Sequence, residues 1–410
     1  MFKFAEHDVV IPMIVLSELD RLKKRDGAVG VSARRVAREL DDLRDATGKL
    51  HDGVPLGDNK GTLTVLDHGS IKPSFCVEDE ASYADNIILE ICLKHPEYVL
   101  VTEDTLMRVK ADTLDINVER YKNATIDNNE LYQDYKVVPL DYGNHVKFFD
   151  KKDVDINDAA PDLELSVNEY VKIQGGGLGR AKKGGTLSRL SESMEFMGIK
   201  TKNAEQAFLA DALFDPTIEV VCVVGKAGCG KTLVTLAAGL DQAGNRGASS
   251  VYKSVTVARP AISMGKELGF LPGDLAEKLD PWMGPIKDAI EVMHPVAKRD
   301  VFTEYVNLGV LKVESLSHIR GRSLPNTFLI IDEAQNLTPH EVKTILTRVG
   351  HGTKIVLTGD PYQIDNPYLD ELNNGLVHAI SAFKGHECFA HVVMRKGERS
   401  KVAELAANIM

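Results

Sequence analysis

The apolar residues of the chain follow two periodicities, which alternate along the first 125 residues. "VVIPMIVL" predicts a strand that runs into a helix, and "TLTVLD" and "YVLVT" predict two more strands. Between these two, "ASYADNIILEICLKH" carries an apolar stripe at helical spacing, at Ile87, Ile88, Ile91 and Cys92. Because strands that alternate with helices form parallel sheets, residues 1–125 are predicted to be an α/β domain.

Residues 196–410 alternate in the same manner. Their predicted strands are residues 218–224, 251–258, 310–315, 327–332, 353–358 and 389–394. Uninterrupted apolar runs such as "FLII" are typical of parallel strands that are covered on both faces. A second α/β domain is therefore predicted.

Residues 126–195 differ from both flanks. "YKVVPL" and "ELSVNEYVKI" predict short strands, and "GGGLGRAKKGG" is basic and rich in glycine. Since Arg180 stands where a GxGxxG pattern has its last glycine, we interpret this stretch as a flexible connector within a small β-rich element. Contact with nucleic acid through Arg180, Lys182 and Lys183 is the alternative.

Composition limits the classes of protein that fit this pattern. The 410 residues are 43% hydrophobic and 27% charged, as in a soluble globular protein of two or three domains. No run of about 18 uncharged apolar residues occurs and the N-terminus is charged, so we expect no membrane span, no signal peptide and a cytoplasmic location. The five scattered cysteines favour reduced thiols over a disulfide framework.

The distribution of charge bears on possible partners. A net charge of −11 argues against attraction of the whole surface to nucleic acid. Residues 21–38 nevertheless hold seven basic side chains against one acid, Asp26. This basic run is either a solvated helical face or a patch that contacts phosphates, and the sequence leaves both open.

A phosphate-binding loop is the most specific motif of the chain. "GKAGCGKT", residues 225–232, matches GxxxxGK[ST] in full between an apolar run and the helical "LVTLAAGL". In such a loop, backbone N–H groups and the start of the helix face one anion, the lysine reaches the β- and γ-phosphates, and the Ser/Thr hydroxyl binds Mg²⁺. The residues predicted to bind ATP are Gly225, Lys226, Ala227, Gly228, Cys229, Gly230, Lys231 and Thr232.

Two acids follow another apolar strand, in "TFLIIDEAQ". Carboxylates directly after four apolar residues are costly unless a function or a partner retains them. We predict that Asp332 holds Mg²⁺, through water, and that Glu333 polarises the attacking water. A glutamate dedicated to hydrolysis favours an ATPase over a kinase, which must keep water away from the phosphate.

"LTGDPYQID", residues 357–365, follows a third strand of the same predicted sheet. Its position predicts that Gln363 senses the γ-phosphate or orients water, while Asp360 holds the loop or its partners. This GDxxQ arrangement resembles the third motif of superfamily 1 helicases, which links the state of ATP to the nucleic-acid track. An Asp-Pro turn without such a role is the alternative.

Several motifs together resemble the PhoH family over nearly all of residues 196–410. They are "MGIKTKNAEQAFLADALFDP", "GKAGCGKT", "VARP", "GFLPGDLAEKLDPWMGPIKD", "HIRGR", "IIDEAQN" and "TGDPYQID". The resemblance implies a single RecA-like P-loop ATPase core related to superfamily 1 helicases. It also implies that Gln206, in "NAEQ", reads the adenine edge with an amide that both donates and accepts.

A single core implies that a neighbouring subunit completes the site with an arginine acting in trans. The candidates are Arg320 and Arg322 in "HIRGR", and Arg395 and Arg399 in "VMRKGERS". For each of them, a surface or ion-paired arginine is the alternative. By analogy with the family we expect a homo-oligomeric ring, a hexamer, with head-to-tail interfaces.

The first region resembles a PIN domain, a metal-dependent ribonuclease fold. The matching acids are Glu18 in "VLSELDRLK", Asp85 in "ADNIILE" and Asp104 in "LVTEDTLMRVKA", with Asp112 as a further candidate. The resemblance implies that these acids gather at one edge of the sheet and bind Mg²⁺ or Mn²⁺, which activates water against a phosphodiester. Taken singly, each acid fits a solvated surface position.

The PIN pattern departs from the family at its start. A PIN domain opens with a strand that ends in an aspartate, ahead of the segment that resembles "FKFAEHDVVIP". No such strand precedes that segment here, and Asp8 cannot be carried over as its substitute. We therefore expect either a start site upstream of Met1 or an inactive PIN domain.

Two functions remain open from the sequence. The first is an ATP-dependent RNA helicase or translocase that feeds single-stranded RNA to a PIN ribonuclease. The second is an RNA-stimulated PhoH ATPase whose PIN domain is inactive and serves as an RNA-binding or assembly platform. A metabolite kinase is disfavoured by Glu333 and Gln363. The predicted domains are residues 1–125 (PIN-like), 126–195 (β-rich connector) and 196–410 (PhoH-like ATPase).

Overall fold

The computed structural model describes most of the chain. The described residues are 6–24, 27–56, 61–67, 69, 71, 83–119, 135–150, 152–161, 163–244, 250–260, 275–297, 299–319, 323–366 and 369–397. The chain divides into two compact units, Met1–Ala124 and Thr125–Met410. Each unit has its own hydrophobic cores.

The first unit combines short strands with helices. In chain order its elements are β1 (Val9–Pro12), α1 (Met13–Leu22), α2 (Gly27–Thr47), β2 (Val54–Pro55), β3 (Thr62–Leu66), α3 (Tyr83–Lys94), β4 (Leu100–Val101), α4 (Thr105–Thr113) and β5 (Val118–Glu119). β1 pairs with β3 in parallel, β2 pairs with β3 antiparallel, and β4 and β5 form a separate parallel pair. The parallel pairs confirm the predicted α/β class.

The basic run 21–38 lies largely on α1 and α2, where neighbouring acids pair with it. Arg21 contacts Glu18 at 2.9 Å, and Arg35 contacts Glu39 at 2.8 Å, each about one helical turn away. These side chains are mostly exposed. Exposed pairs about one turn apart are typical of a solvated helical face.

The described residues of the second unit form three sheets and several helices. Its elements are β6 (Lys136–Val138), α5 (Tyr142–Phe149), β7 (Val154–Asp155), α6 (Ile156–Ala159), β8 (Tyr170–Ile173), β9 (Leu178–Lys182), β10 (Thr186–Leu190), β11 (Glu195–Phe196), β12 (Ile199–Lys200), α7 (Ala204–Phe214), β13 (Val220–Gly225), α8 (Lys231–Gly244), β14 (Ser254–Arg259), α9 (Leu275–Met293), α10 (Val301–Asn307), β15 (Leu311–Ser315), α11 (Leu316–Ile319), β16 (Thr327–Ile331), α12 (Pro339–Leu346), β17 (Lys354–Gly359), α13 (Gly375–Phe383) and β18 (Phe389–Met394). β11 and β12 form a two-stranded antiparallel sheet.

A five-stranded sheet, in the order β6-β8-β9-β10-β7, contains the glycine-rich stretch. The stretch was predicted to be a flexible connector within a β-rich element; the sheet around it is present, but the middle of the stretch is a strand of that sheet. Five of its six glycines lie in the turns on either side, at positive φ, and residues 178–182 between them, which include Gly179, form β9. Arg180 is 8% exposed and pairs with two aspartates of the core, so the alternative in which it contacts nucleic acid is wrong.

The six-stranded sheet of the core has the order β15-β14-β16-β17-β13-β18, and each of its strand pairs is parallel. Each predicted strand of the last region is present, with bounds shifted by up to three residues. The residues of β13, β16 and β17 are buried throughout. Two separate apolar clusters cover the faces of this sheet, as the uninterrupted apolar runs predicted.

Buried charges fasten the five-stranded sheet to helix α7 of the core. Arg180 on β9 donates to Asp211 at 2.9 Å and to Asp215 at 2.5 Å, and the Tyr170 hydroxyl on β8 donates to Asp211 at 3.0 Å. Lys354, at the start of β17, donates to the backbone carbonyls of Ala212 and Asp215, both at 2.7 Å. The amine thus caps the carbonyl end of the helix, whose last carbonyl groups have no partner within the helix itself.

The described α-helices range in length from four to 21 residues. None of these helices has both the length and the apolar character that crossing a bilayer requires.

Candidate active site

The phosphate-binding loop joins β13 to α8 in the strand–loop–helix order that its sequence predicted. Gly228 and Gly230 have φ angles of 82° and 94°, which favour glycine. A side chain at Gly225 would collide with the Met394 carbonyl and lie 2.9 Å from the Cys229 sulfur. The loop can therefore adopt this path only with glycine at these positions.

The side chains of the loop divide between its surface and its base. Lys226 and Ala227 are exposed, whereas Cys229 is fully buried and burial raises the pKa of its thiol. The Lys231 ammonium donates to the carbonyl of Gly225 and, at 3.1 Å, to that of Lys226. Lys231 thus lies over the concave side of the loop, where an anion would meet it.

Asp332 follows β16 and is contacted from three sides. Its carboxylate oxygens lie 3.4 and 3.5 Å from the Thr232 hydroxyl of the phosphate-binding loop. The Thr358 hydroxyl, on the neighbouring β17, donates to it at 2.6 Å, and Arg259, at the end of β14, lies 3.4 Å away. Asp332 is only 3% exposed. A hydroxyl and a carboxylate that converge from two elements are oxygen donors of the kind that Mg²⁺ prefers, so these residues fit the ion.

Glu333 is held in an unusual backbone conformation and by two side chains. Its φ is +57°, in the left-handed region that non-glycine residues seldom adopt. Arg259 donates to one carboxylate oxygen at 2.8 Å, and Gln335 donates to the other at 2.7 Å. Non-glycine residues keep this backbone conformation only where surrounding contacts impose it, and such residues are most frequent at functional sites.

The loop after β17 is tied to the turn after β16 by a buried amide. Gln335 is fully buried, and besides Glu333 it donates to the backbone carbonyl of Gln363 at 2.8 Å and accepts from the Asp360 N–H at 3.2 Å. Asp360 is buried and accepts from the Tyr362 N–H at 3.2 Å, so its carboxylate stabilises the loop. The side chain of Gln363 is exposed.

Gln206 lies near the phosphate-binding loop, at the start of α7. It is 5% exposed; its side-chain oxygen accepts from the Lys202 N–H at 2.9 Å, and its amide donates to the Cys229 carbonyl at 3.5 Å. Asn203 caps the helix by accepting from the Gln206 N–H at 2.9 Å. The amide therefore bridges α7 to the loop, and its recognition of adenine stays a prediction.

The candidate arginines are only partly within the described residues. Arg320, Arg322 and Arg399 lie outside them. Arg395 is exposed just beyond β18, and its backbone N–H donates to the buried carboxylate of Glu205 at 2.8 Å. An action of any of the four in trans stays a prediction.

The acids of the first unit influence one another. Asp85 lies in the first turn of α3, and its pKa is raised by burial and then by the negative charges of Asp104 and, more weakly, Glu18. Asp104 caps α4 by accepting from the Met107 N–H at 2.8 Å, and Glu18 accepts from Arg21.

These acids do not form a complete metal shell. Within the described ranges, no three His, Cys, Asp or Glu side chains lie close enough together to hold a metal ion. Asp112 is exposed on α4. Asp8 accepts from the N–H and the hydroxyl of Thr62, at 3.1 and 2.7 Å, and so joins β1 to β3.

Three contacts of the ATPase site were not anticipated from the sequence. Arg259, Gln335 and Thr358 each contact a predicted carboxylate, yet none was singled out. Arg259 and Thr358 could have been found from their position, because polar residues at the carboxyl ends of parallel strands meet at one edge. Gln335 has a weaker signal, a polar residue two positions after the acids.

Sequence profiles match both units. The profile described as "PhoH-like protein" matches residues 198–410, and one described as "PIN domain" matches residues 1–122. The protein PhoH2 of Bacillus subtilis is 42% identical and spans the whole chain and 96% of its own length. The proteins PhoH2 of Thermobispora bispora and Mycolicibacterium smegmatis are each 32% identical, over the whole chain and 93% and 92% of their own lengths.

Solved structures resemble the chain only distantly. A Pif1 helicase from Candida albicans has a TM-score of 0.28 and 16% identity, over 51% of this chain and 42% of its own. The helicase MrfA has a TM-score of 0.30 and 12% identity, over 57% of this chain and 32% of its own. Scores this low do not bear on function. The two profiles and the full-length relatives do, and they agree: the chain belongs to the PhoH-like proteins, as a P-loop ATPase with a PIN domain ahead of it.

Proposed function

We propose that the chain is an ATP-driven RNA helicase or translocase coupled to a PIN-type ribonuclease. The observation that carries the motor part is the hydrogen-bond chain that leads from Glu333 through Gln335 to the loop of residues 360–366. A hydrolytic site needs no such connection to an exposed loop. A motor does, because its nucleotide state must be transmitted to its track.

In the proposed reaction, the backbone of the phosphate-binding loop and Lys231 bind the phosphates of ATP. Thr232 and Asp332 would hold Mg²⁺, which neutralises charge that develops on the phosphates. Glu333 orients and polarises the attacking water, and its position is fixed by Gln335. The buried contacts of Asp332 with Thr232 and Thr358 keep that carboxylate in place.

The loop of residues 360–366 would face the nucleic acid. Tyr362 is 55% exposed on it, and Gln363 is exposed beside it. An aromatic ring can stack on any base, which suits a motor that moves along single strands regardless of sequence. The resemblance of this loop to the third motif of superfamily 1 helicases favours the same role.

A ring would complete the site. In the proposed homohexamer, an arginine of the neighbouring subunit reaches the γ-phosphate, and Arg395 is the described candidate among the four. It lies just past β18, the strand beside β13, which leads into the phosphate-binding loop. Head-to-tail contacts of this kind close into rings.

Turnover of ATP tests the motor part. Purified chain should hydrolyse ATP with Mg²⁺ at a rate that single-stranded RNA raises several-fold, and it should unwind tailed RNA duplexes only with ATP. A Lys231→Ala variant should do neither, whereas Lys343→Ala, which changes an exposed lysine on α12, should retain much of the activity. Turnover that is indifferent to RNA and DNA strands alike would contradict the proposal.

An inactive PIN domain is the second candidate. It is favoured by the lack of a three-residue ligand set among the described residues and by the structural use of Asp104 as a helix cap. In that case the first unit binds RNA or supports assembly, and the ATPase acts alone. If the nuclease is active, Glu18, Asp85 and Asp104 would hold Mg²⁺ or Mn²⁺, which would activate water.

A cap-preserving variant separates these candidates. Asp104→Asn removes the charge but keeps an oxygen that can accept from the Met107 N–H, so the fold should survive. If the nuclease is active, RNA cleavage with Mn²⁺ should fall at least about tenfold in this variant. Asp52→Asn, an exposed change in the same unit, should cleave as wild type does. Cleavage that Asp104→Asn leaves unchanged assigns the activity to another source.

A further inference from the structure

Arg259 is the one described arginine in contact with Asp332 and Glu333, and the sequence assigned no role to it. Its guanidinium lies 2.8 Å from a Glu333 oxygen and 3.4 Å from an Asp332 oxygen. The side chain is only 22% exposed. The Asp332 side chain is 5% exposed and the Glu333 side chain 38% exposed, so the pair with Asp332 is the better shielded from water.

The strand order explains how Arg259 comes to lie there. β14 and β16 are neighbours in register, with Ala258 opposite Ile331, and the Asp332 N–H donates to the Ala258 carbonyl at 2.9 Å. Arg259 and Asp332 are therefore the next residues on their two strands. The Asp332 oxygen that Arg259 approaches, Oδ2, also lies 3.5 Å from the Thr232 hydroxyl of the phosphate-binding loop. A single carboxylate separates the guanidinium from the phosphate-binding loop.

The two oxygens of Glu333 are held by different kinds of group. Gln335 is a neutral, fully buried amide that is bound to the protein at three points. Arg259 is a cation, and its strongest partners are carboxylates and phosphates, which it can bind with two N–H groups at once. A γ-phosphate near Lys231 would thus compete with Glu333 for Arg259, but it would not compete for Gln335.

We infer that Arg259 is a nucleotide-sensing residue, which passes from Glu333 to the terminal phosphate when ATP binds. This inference rests on the proposed function of the site. A cation held by Thr232 and Asp332 would neutralise Asp332 and repel the guanidinium, which favours the same transfer. Glu333 then has one oxygen free to accept from water while Gln335 keeps the carboxylate in place. Hydrolysis is coupled in this way to the presence of a γ-phosphate.

A fixed ion pair is the alternative, and it predicts a different result. If Arg259 only stabilises the acids, its loss weakens ATP and ADP binding alike. If it senses the terminal phosphate, its loss weakens the binding of a triphosphate selectively. The ratio of the two affinities therefore decides between them.

The experiment measures the binding of a non-hydrolysable ATP analogue and of ADP to the full chain, with Mg²⁺. Wild type should bind the analogue more tightly than ADP. In Arg259→Gln the ratio of the two affinities should fall by about tenfold or more, while the affinity for ADP stays within about twofold of that of wild type. Arg259→Lys should recover part of the preference for the analogue. Arg299→Gln, which breaks an exposed ion pair with Glu304 at 3.2 Å, should bind as wild type does. The inference is overturned if Arg259→Gln prefers the analogue over ADP as strongly as wild type does.

A second variant keeps the test open if the Arg259 variants do not fold. Glu333→Gln removes the charge that competes for Arg259 and leaves the arginine in place, so its preference for the analogue should rise severalfold. An unchanged preference there also overturns the inference. If wild type binds neither nucleotide, or Lys231→Ala binds as wild type does, then the proposed ATP site itself is contradicted.

Discussion

The side-chain amide of Gln335 lies 2.8 Å from the backbone carbonyl of Gln363, across the gap between the turn after β16 and the loop after β17. The same nitrogen lies 2.7 Å from the carboxylate of Glu333. One buried amide thus connects the acid predicted to polarise water with the loop predicted to sense nucleic acid. Because Gln335 is fully buried and bonded to both, a movement of Glu333 should displace the loop of residues 360–366, and a movement of that loop should displace Glu333.

Replacing this amide should uncouple the loop from hydrolysis. Gln335→Met keeps the volume but removes the bonds to Glu333, Asp360 and Gln363. We expect the turnover number for ATP to fall by about tenfold to a hundredfold, because the glutamate loses its orientation, with a smaller change in ATP affinity. The measurement is steady-state hydrolysis with and without single-stranded RNA, and stimulation by RNA should be lost.

A second buried glutamine provides the control for that variant. Gln242 on α8 donates to the carbonyls of Leu213 and Ala238, at 3.2 and 3.0 Å, away from the acids. Gln242→Met should lower stability but leave stimulation by RNA intact. If both variants lose hydrolysis equally, the loss reflects a damaged fold and Gln335 has no specific role.

The strands that carry the site could be predicted because their signals are local. β13, β16 and β17 are near-continuous apolar runs followed at once by glycine or acidic residues, and burial on both faces of the sheet is what that pattern requires. The loop of residues 225–232 has a fixed spacing that leaves few alternatives. In these cases, residues that are adjacent along the chain determine the local structure.

Contacts that depend on strand order could not be predicted. Arg259 and Glu333 are 74 residues apart and meet only because β14 lies beside β16. Arg180 was interpreted from its glycine-rich, basic neighbours, yet its structure is determined by Asp211 and Asp215, which are more than 30 residues away. No periodicity within one segment contains that information.

Removing the Arg180 guanidinium should destabilise the second unit. Arg180→Met would leave Asp211 and Asp215 without their buried partner, and an uncompensated pair of this kind costs about 3 kcal/mol in the free energy of unfolding. Urea unfolding, followed by the fluorescence of Trp282, the only tryptophan of the chain, measures this value. Arg299→Met, at an exposed pair, should cost less than about 1 kcal/mol, and equal costs would contradict the buried role.

The stability of the same unit should depend on pH through Lys354. Burial lowers the pKa of this amine from 10.5 to about 7, despite the attraction of Asp215 and Asp211. Between pH 7 and 10.5 the unfolded chain therefore binds a proton at Lys354 that the folded chain does not bind. Stability contributed by this group rises with pH across that window, by at most about 1.4 kcal/mol per pH unit.

Comparison with a variant isolates that contribution. The difference in unfolding free energy between wild type and Lys354→Met should move in favour of wild type from pH 7 to pH 10, and it should be constant below pH 6. Lys343→Met changes an exposed lysine on α12 and should give a difference that is flat throughout. A flat difference for Lys354→Met would mean that its amine stays charged in the fold.

Gly359, which ends β17 ahead of Asp360, offers a steric test of the Gln335 contact. A Cβ at this glycine would collide with the Gln335 side-chain oxygen and lie 2.9 Å from Leu376. Gly359→Ala should therefore displace the amide, destabilise the unit by about 1–3 kcal/mol and lower hydrolysis as Gln335→Met does. Gly244→Ala, at the end of α8, adds a Cβ with no described atom within 4 Å and should be neutral in both measurements.

A double-mutant cycle then assigns the effect to that one contact. In a Gln335→Ala background, the colliding oxygen is gone, so Gly359→Ala should cost less stability than it does in wild type, with a coupling of about 1 kcal/mol or more. Hydrolysis, already impaired by the loss of the amide, should fall no further. Costs that simply add would show that Gly359 acts through Leu376 instead, and the steric link between the loop and the acids would be refuted.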